Sequence, residues 1–154
     1  MSRLTKIELD DAGLPPPTAE IEQERKVALF DLLEDNAFQP VGAPEGPFHL
    51  FLSIQDRRLV FDIRDEADAA VGAFHLSLSP FRQIIKDYFQ ICEAYFEAVK
   101  RLPPAQIEAI DMGRRGIHDE GSRILAERLE GKVITDHATA RRLFTLICVL
   151  HFKG

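Results

Sequence analysis

Three closely spaced runs of alternating apolar residues constrain the fold of this chain more than any other feature. Phe48, Leu50, Leu52 and Ile54 alternate with His49, Phe51 and Ser53. Leu59, Phe61 and Ile63 alternate with Val60, Asp62 and Arg64, and Phe74, Leu76 and Leu78 alternate with Ala73, His75 and Ser77. A period of two sends successive side chains to opposite faces, so each run is a strand with one apolar face. The links Gln55-Asp56-Arg57-Arg58 and Asp65-Glu66-Ala67-Asp68 are polar and too short for a crossover. The three strands therefore form an antiparallel meander over residues 48–78. Val71 falls off the alternation beside Gly72, which predicts a bulge or bend.

An apolar sheet face needs a covering layer. Ser79-Pro80 opens a helix, with Phe81, Ile84, Ile85, Tyr88, Cys92, Tyr95, Phe96 and Val99 at helical spacing through Arg101. Pro103-Pro104 ends it and opens another over 105–112, with Ile107 and Ile110 inward and Gly113 as its C-terminal cap. A third helix spans 122–130 and stops at Gly131, 132–134 reads as a short strand, and Asp136 or Thr139 caps a final helix through His151. That last helix is apolar around its axis. It is either fully buried or half of a homodimer contact through Phe144, Ile147 or Leu150. Upstream, 7–9 reads as a strand and Gly13-Leu14-Pro15-Pro16-Pro17 as a stiff connector. Thr18 caps a helix over 19–36 whose inward stripe is Ile21, Val27, Phe30 and Leu33. The expectation is one α+β domain over 1–154: a three-stranded antiparallel meander packed against a long helix, then a helical C-terminal half.

A formal net charge of -6 over 154 residues argues against a general nucleic-acid or anionic-membrane binder. The opening Met1-Ser2-Arg3-Leu4-Thr5-Lys6 lacks the apolar core of a secretory signal, and Leu143–Leu150 is too short to span a bilayer. Cys92 and Cys148 have apolar neighbours and no paired spacing, as free thiols in a reducing compartment would. The expectation is a cytoplasmic protein with no membrane partner, no metal and no cofactor. Phosphate-binding loops, nucleophile elbows and zinc-protease motifs are missing. A phosphatase thiol needs an arginine six positions on, where Cys92 has Ala98 and Cys148 has Gly154. His49 and His75 lie on outer strands of the meander about 10 Å apart, too far to share a metal.

The densest chemistry lies in Met112-Gly113-Arg114-Arg115-Gly116-Ile117-His118-Asp119-Glu120-Gly121, between two segments read as helices. As a loop, Gly113, Arg114, Arg115 and Gly116 form an anion clamp with two guanidinium forks, and His118 is a third contact. The same residues also fit a capped helix end whose arginines pair with Asp111, Asp119 or Glu120. His118 with Asp111, Asp119 or Glu120 is an alternative acid/base group, although adjacent helical residues point about 100° apart. Gly-x-x-Gly between helices also resembles the loop of KH-type RNA-binding domains. The two carboxylates that follow, and the overall charge, oppose that reading.

The chain as a whole resembles the uncharacterised bacterial protein family of serial number zero-two-six-two. The residues that carry this are Leu78-Ser79-Pro80-Phe81-Arg82, Lys86-Asp87-Tyr88-Phe89, Ile107 through Gly116, and Ala140-Arg141-Arg142-Leu143-Phe144-Thr145-Leu146. The resemblance implies a small single-domain cytosolic protein and no assigned activity. The functional expectation from the residues is a non-enzymatic binding module whose Gly113–Gly116 segment docks an acidic protein segment or a phosphorylated ligand.

Overall fold

Residues 2–151 are described by a computed structural model. Met1 and residues 152–154 lie outside the described residues, among them the Gly154 that follows Cys148 by six. The three alternating runs form β3 (Phe48–Gln55), β4 (Arg58–Arg64) and β5 (Ala70–Ser77), paired antiparallel in that order. Asp56 and Arg57, with φ of 51° and 61°, make a two-residue turn that sets Gln55 opposite Arg58. The pairing steps from Ile63↔Gly72 to Arg64↔Ala70, so Val71 is the extra residue of the expected bulge.

A fourth strand was only partly visible in the sequence. β1 (Leu4–Leu9) lies parallel to β3, with Ile7 opposite Leu50 and Leu9 opposite Leu52, which makes the sheet mixed. Along the inner face Leu50, Leu52, Leu59, Phe61 and Ile63 are buried. The outer face is polar: His49 pairs with Asp68 at 2.8 Å, and the Arg64 guanidinium lies over the Phe51 ring at 4.5 Å.

The helical layer is α1 (Ala19–Glu34), α2 (Arg82–Arg101, entered through a 3-10 turn at Ser79–Phe81), α3 (Pro104–Leu129) and α4 (His137–Leu150). Thr18 caps α1 by accepting from the Ile21 amide, and Asp136 caps α4 by accepting from that of Thr139. Ser79 does not cap α2, because the 3-10 turn stands where its side-chain bond was expected. A short ladder of β2 (Phe38–Pro40) with β6 (Val133–Thr135) ties the exit of α1 to the α3–α4 connection. α4 packs against α1 and α3 and carries nine buried residues. The fully buried alternative therefore describes it. Phe144, Ile147 and Leu150 are enclosed within the single chain and are not available to a second copy.

Two sequence expectations are corrected. α1 turns inward on Ile21, Ala28 and Leu32, while Val27, Phe30 and Leu33 are exposed, Phe30 at 66%. Phe30 lies nine residues, about 180°, from Ile21 and could not share its stripe. Val99 on α2 is likewise exposed. The second correction concerns the glycine segment. The expected helices 105–112 and 122–130 are one continuous α3, so Gly113 is no cap and the loop Gly113–Gly116 does not exist. Neither glycine has a positive φ, whereas Gly131, just past the helix, does at 80°. Gly113 faces α2, where a Cβ would come within 2.9 Å of Ile91 Cδ1. Gly121 seats α3 on α4, since a Cβ there would lie 2.1 Å from Phe144 Cζ. These glycines thin the helix so that its neighbours can approach.

Candidate functional site

With 113–116 helical, Asp111, Arg114, Arg115 and His118 sit on adjoining turns, at the three- and four-residue spacings that bring side chains together. Asp111 takes both guanidinium groups: Oδ1 accepts from Arg114 Nη2 at 2.6 Å and Oδ2 lies 2.7 Å from Arg115 Nη2. The Arg114 hydrogen bond holds the Asp111 carboxyl below its usual range. Arg114 is also stacked over the Tyr95 ring at 4.3 Å, and only 25% of its side chain is exposed, against 70% for Arg115. The helix thus forms the i,i+4 pair that a loop would have broken. Arg114 becomes a fixed part of the wall, and Arg115 keeps donors open to solvent.

Arg114, Arg115 and His118 line a cleft of about 480 Å³ between α1, α3 and α4, floored by Tyr88 of α2. α1 contributes Glu24, Val27 and Asp31, and α4 contributes Arg141, Arg142 and Thr145. Gly113 and Gly116 are not part of its lining. At the floor the Tyr88 hydroxyl donates to Glu24 Oε1 at 3.0 Å, and Arg114 Nη1 lies 3.9 Å from the same oxygen. Burial raises the Glu24 pKa, against the opposing effects of the Tyr88 hydrogen bond and the Arg114 charge. Burial also raises that of Tyr88. Arg141 pairs with Asp119, and Arg142 Nη1 donates to the Asp35 carbonyl at 3.1 Å.

His118, at the inner end of the same helix face, lies edge-on to Tyr88 and Phe144 with ring centroids 5.3 and 5.2 Å away. Its Nε2 is 2.7 Å from Thr145 Oγ1, whose hydroxyl donates to the Arg141 carbonyl at 3.4 Å. Its Nδ1 is 3.4 Å from Ser122 Oγ, whose hydroxyl donates to the His118 carbonyl at 2.8 Å. Burial, reinforced by the charges of Arg141 and Arg114, lowers its pKa from 6.5 to about 4. The acid/base grouping read from sequence is not assembled. Asp111, Asp119 and Glu120 each pair with an arginine, and among the described residues none of their carboxylates hydrogen-bonds or ion-pairs with His118. A KH-type backbone clamp has no loop to form it. No group of three His, Cys, Asp or Glu able to hold a metal ion occurs among the described residues. Cys92 and Cys148 are unlinked and buried, and burial pushes the Cys92 thiol up to about 11, where thiolate chemistry is suppressed.

A pH prediction follows from His118. Between pH 6.5 and about 4 the unfolded chain binds this proton and the folded one does not. The stability it contributes is complete above 6.5 and drains as pH falls through that window. Glu24, with its raised pKa, acts in the opposite sense. The site-specific measurement is therefore an NMR titration, in which His118 ring signals should hold their neutral positions from pH 8 down to about 5. An inflection near the ordinary histidine value would contradict the buried, neutral assignment.

The profile of the uncharacterised protein family UPF0262 matches residues 1–153. The chain belongs to UPF0262. This UPF0262 chain is 68% identical to a UPF0262 protein of Roseobacter denitrificans, over all of both chains. It is 67% identical to one of a Ruegeria species, again over all of both, and 69% identical to one of Cereibacter sphaeroides over 99% of each. No solved structure matches it. No helix among the described residues is long and apolar enough to cross a membrane.

Glu24, Asp31, Arg141 and Arg142 line the UPF0262 cleft and are not among the site residues expected from the sequence. The separation of Glu24 and Asp31 by seven residues, two helical turns, is the sequence signal that they share a face. Tyr88, on the apolar stripe expected for α2, is buried, and its hydroxyl meets Glu24 at the cleft floor.

Proposed function

We propose that this protein is a binding module for a small anion, a carboxylate or phosphate ester, held in the α1–α3–α4 cleft by Arg115 and Arg142. The observation that carries the reading is the charge of the lining. Four arginines and two carboxylates line the cleft of a chain whose net charge is -6. Asp111 and Asp119 pair with Arg114, Arg115 and Arg141, and among the described residues Arg142 meets no carboxylate. Arg142 pairs with a carbonyl rather than a carboxylate, and Arg115 is well exposed, so their remaining donors are free for a planar anion. The volume lies in the range of small-molecule sites. Arg114 serves as scaffold in this reading, which moves the anion contacts from the expected loop to two helices.

The unlinked thiols fit a reducing compartment, and the reading places the protein in the cytoplasm.

Calorimetric titration of inorganic phosphate and glutarate tests the reading. Wild-type protein should bind at least one of them saturably, more weakly as salt rises. Arg115→Ala/Arg142→Ala should keep its circular dichroism spectrum and lose binding by tenfold or more, about 1.4 kcal/mol. Equal binding by the variant, or none by the wild type, would remove the proposal.

A further inference from the structure

The charges of the cleft are divided by wall. α1 presents Glu24 and Asp31 and no cation, while α3 and α4 present Arg114, Arg115, Arg141 and Arg142 and no carboxylate. Opposite charges this close usually pair across a gap and close it, and here they pair only at the floor. Glu24 meets the Tyr88 hydroxyl and Arg114 there. Asp31, two turns further along α1, is half-buried and makes no side-chain hydrogen bond or ion pair among the described residues. Arg142 reaches α1 one turn beyond it but donates to the Asp35 carbonyl instead. The cleft therefore holds an uncompensated carboxylate opposite partly free guanidinium groups.

From this division we infer that the ligand is a compact zwitterion of the acidic α-amino-acid class, its carboxylates on Arg115 and Arg142 and its ammonium on Asp31. The inference rests on the anion-binding reading and narrows it. A ligand with carboxylates alone would bring like charge against Asp31, which disfavours it at short range. An ammonium group turns that repulsion into a charge-assisted hydrogen bond and supplies the partner Asp31 lacks. A purely cationic ligand would meet the four arginines. Selectivity for the zwitterion thus comes from an attraction and a repulsion acting together.

Calorimetry with matched pairs separates the two levels of the argument. L-glutamate and glutarate share a carbon chain and two carboxylates and differ by the ammonium group, as do L-aspartate and succinate. Wild-type protein should bind one amino acid about tenfold more tightly than its partner lacking nitrogen. Asp31→Asn, a near-isosteric change at a half-buried position, should erase that preference and leave glutarate or succinate bound as well as before or better. Its unchanged thermal midpoint would show that the fold is intact. Equal affinities within both pairs, or a preference that survives Asp31→Asn, would overturn the inference while leaving the anion site standing. No binding by any of the four would overturn both.

Discussion

Phe61→Ala should cost about 3–5 kcal/mol of stability in a urea titration, the loss expected for removing a fully buried phenylalanine. Phe61 is completely enclosed at the middle of β4, opposite Leu52 on one side and Phe74 on the other. It stacks on Phe74 with ring centroids 4.7 Å apart and planes inclined by 12°. Truncation therefore removes both the buried area and the ring contact, and a cavity between two well-paired strands cannot collapse cheaply. A loss below about 1 kcal/mol would mean that the inner face of the sheet has been assigned to the wrong side.

The second large effect lies on α3. Gly121→Leu should cost about 3 kcal/mol or more, or prevent folding, because overpacking at an enclosed contact forces backbone movement. Even the first added carbon would lie 2.1 Å from Phe144 Cζ, and Phe144 is itself fully buried and cannot swing aside. Gly116→Ala, five residues earlier on the same helix, provides the contrast. It meets no atom within 4 Å and its φ is not positive, so the better helix former should raise stability by about 1 kcal/mol. A destabilising Gly116→Ala would restore the loop that the sequence suggested.

This contrast shows where local reading stopped. The period of two in 48–78 reports burial of one face directly, so the strands, their turns and the Val71 bulge were all legible. Gly113 obeyed the local rule for a helix cap, and no local signal distinguishes a glycine that ends a helix from one that lets another helix come close. What decides is the Ile91 methyl on α2. α1 failed for a different reason. Val27, Phe30 and Leu33 point outward while the small Ala28 joins Ile21 and Leu32 inward, so hydrophobicity alone pointed to the wrong side. The cleft was missed with it, since one of its walls is that misplaced helix. Arg114, Arg115 and His118 are the three residues of α3 that line the cleft, brought there by helical spacing rather than by a loop.

The proposed anion site is tested most directly by following the arginine Nε–H signals of 15N-labelled protein while inorganic phosphate or glutarate is added. The account predicts saturable shifts at Arg115 and Arg142, with Arg101, exposed at the end of α2 beside Glu97, as a static reference. Shifts that are uniform across all arginines and never saturate would contradict it.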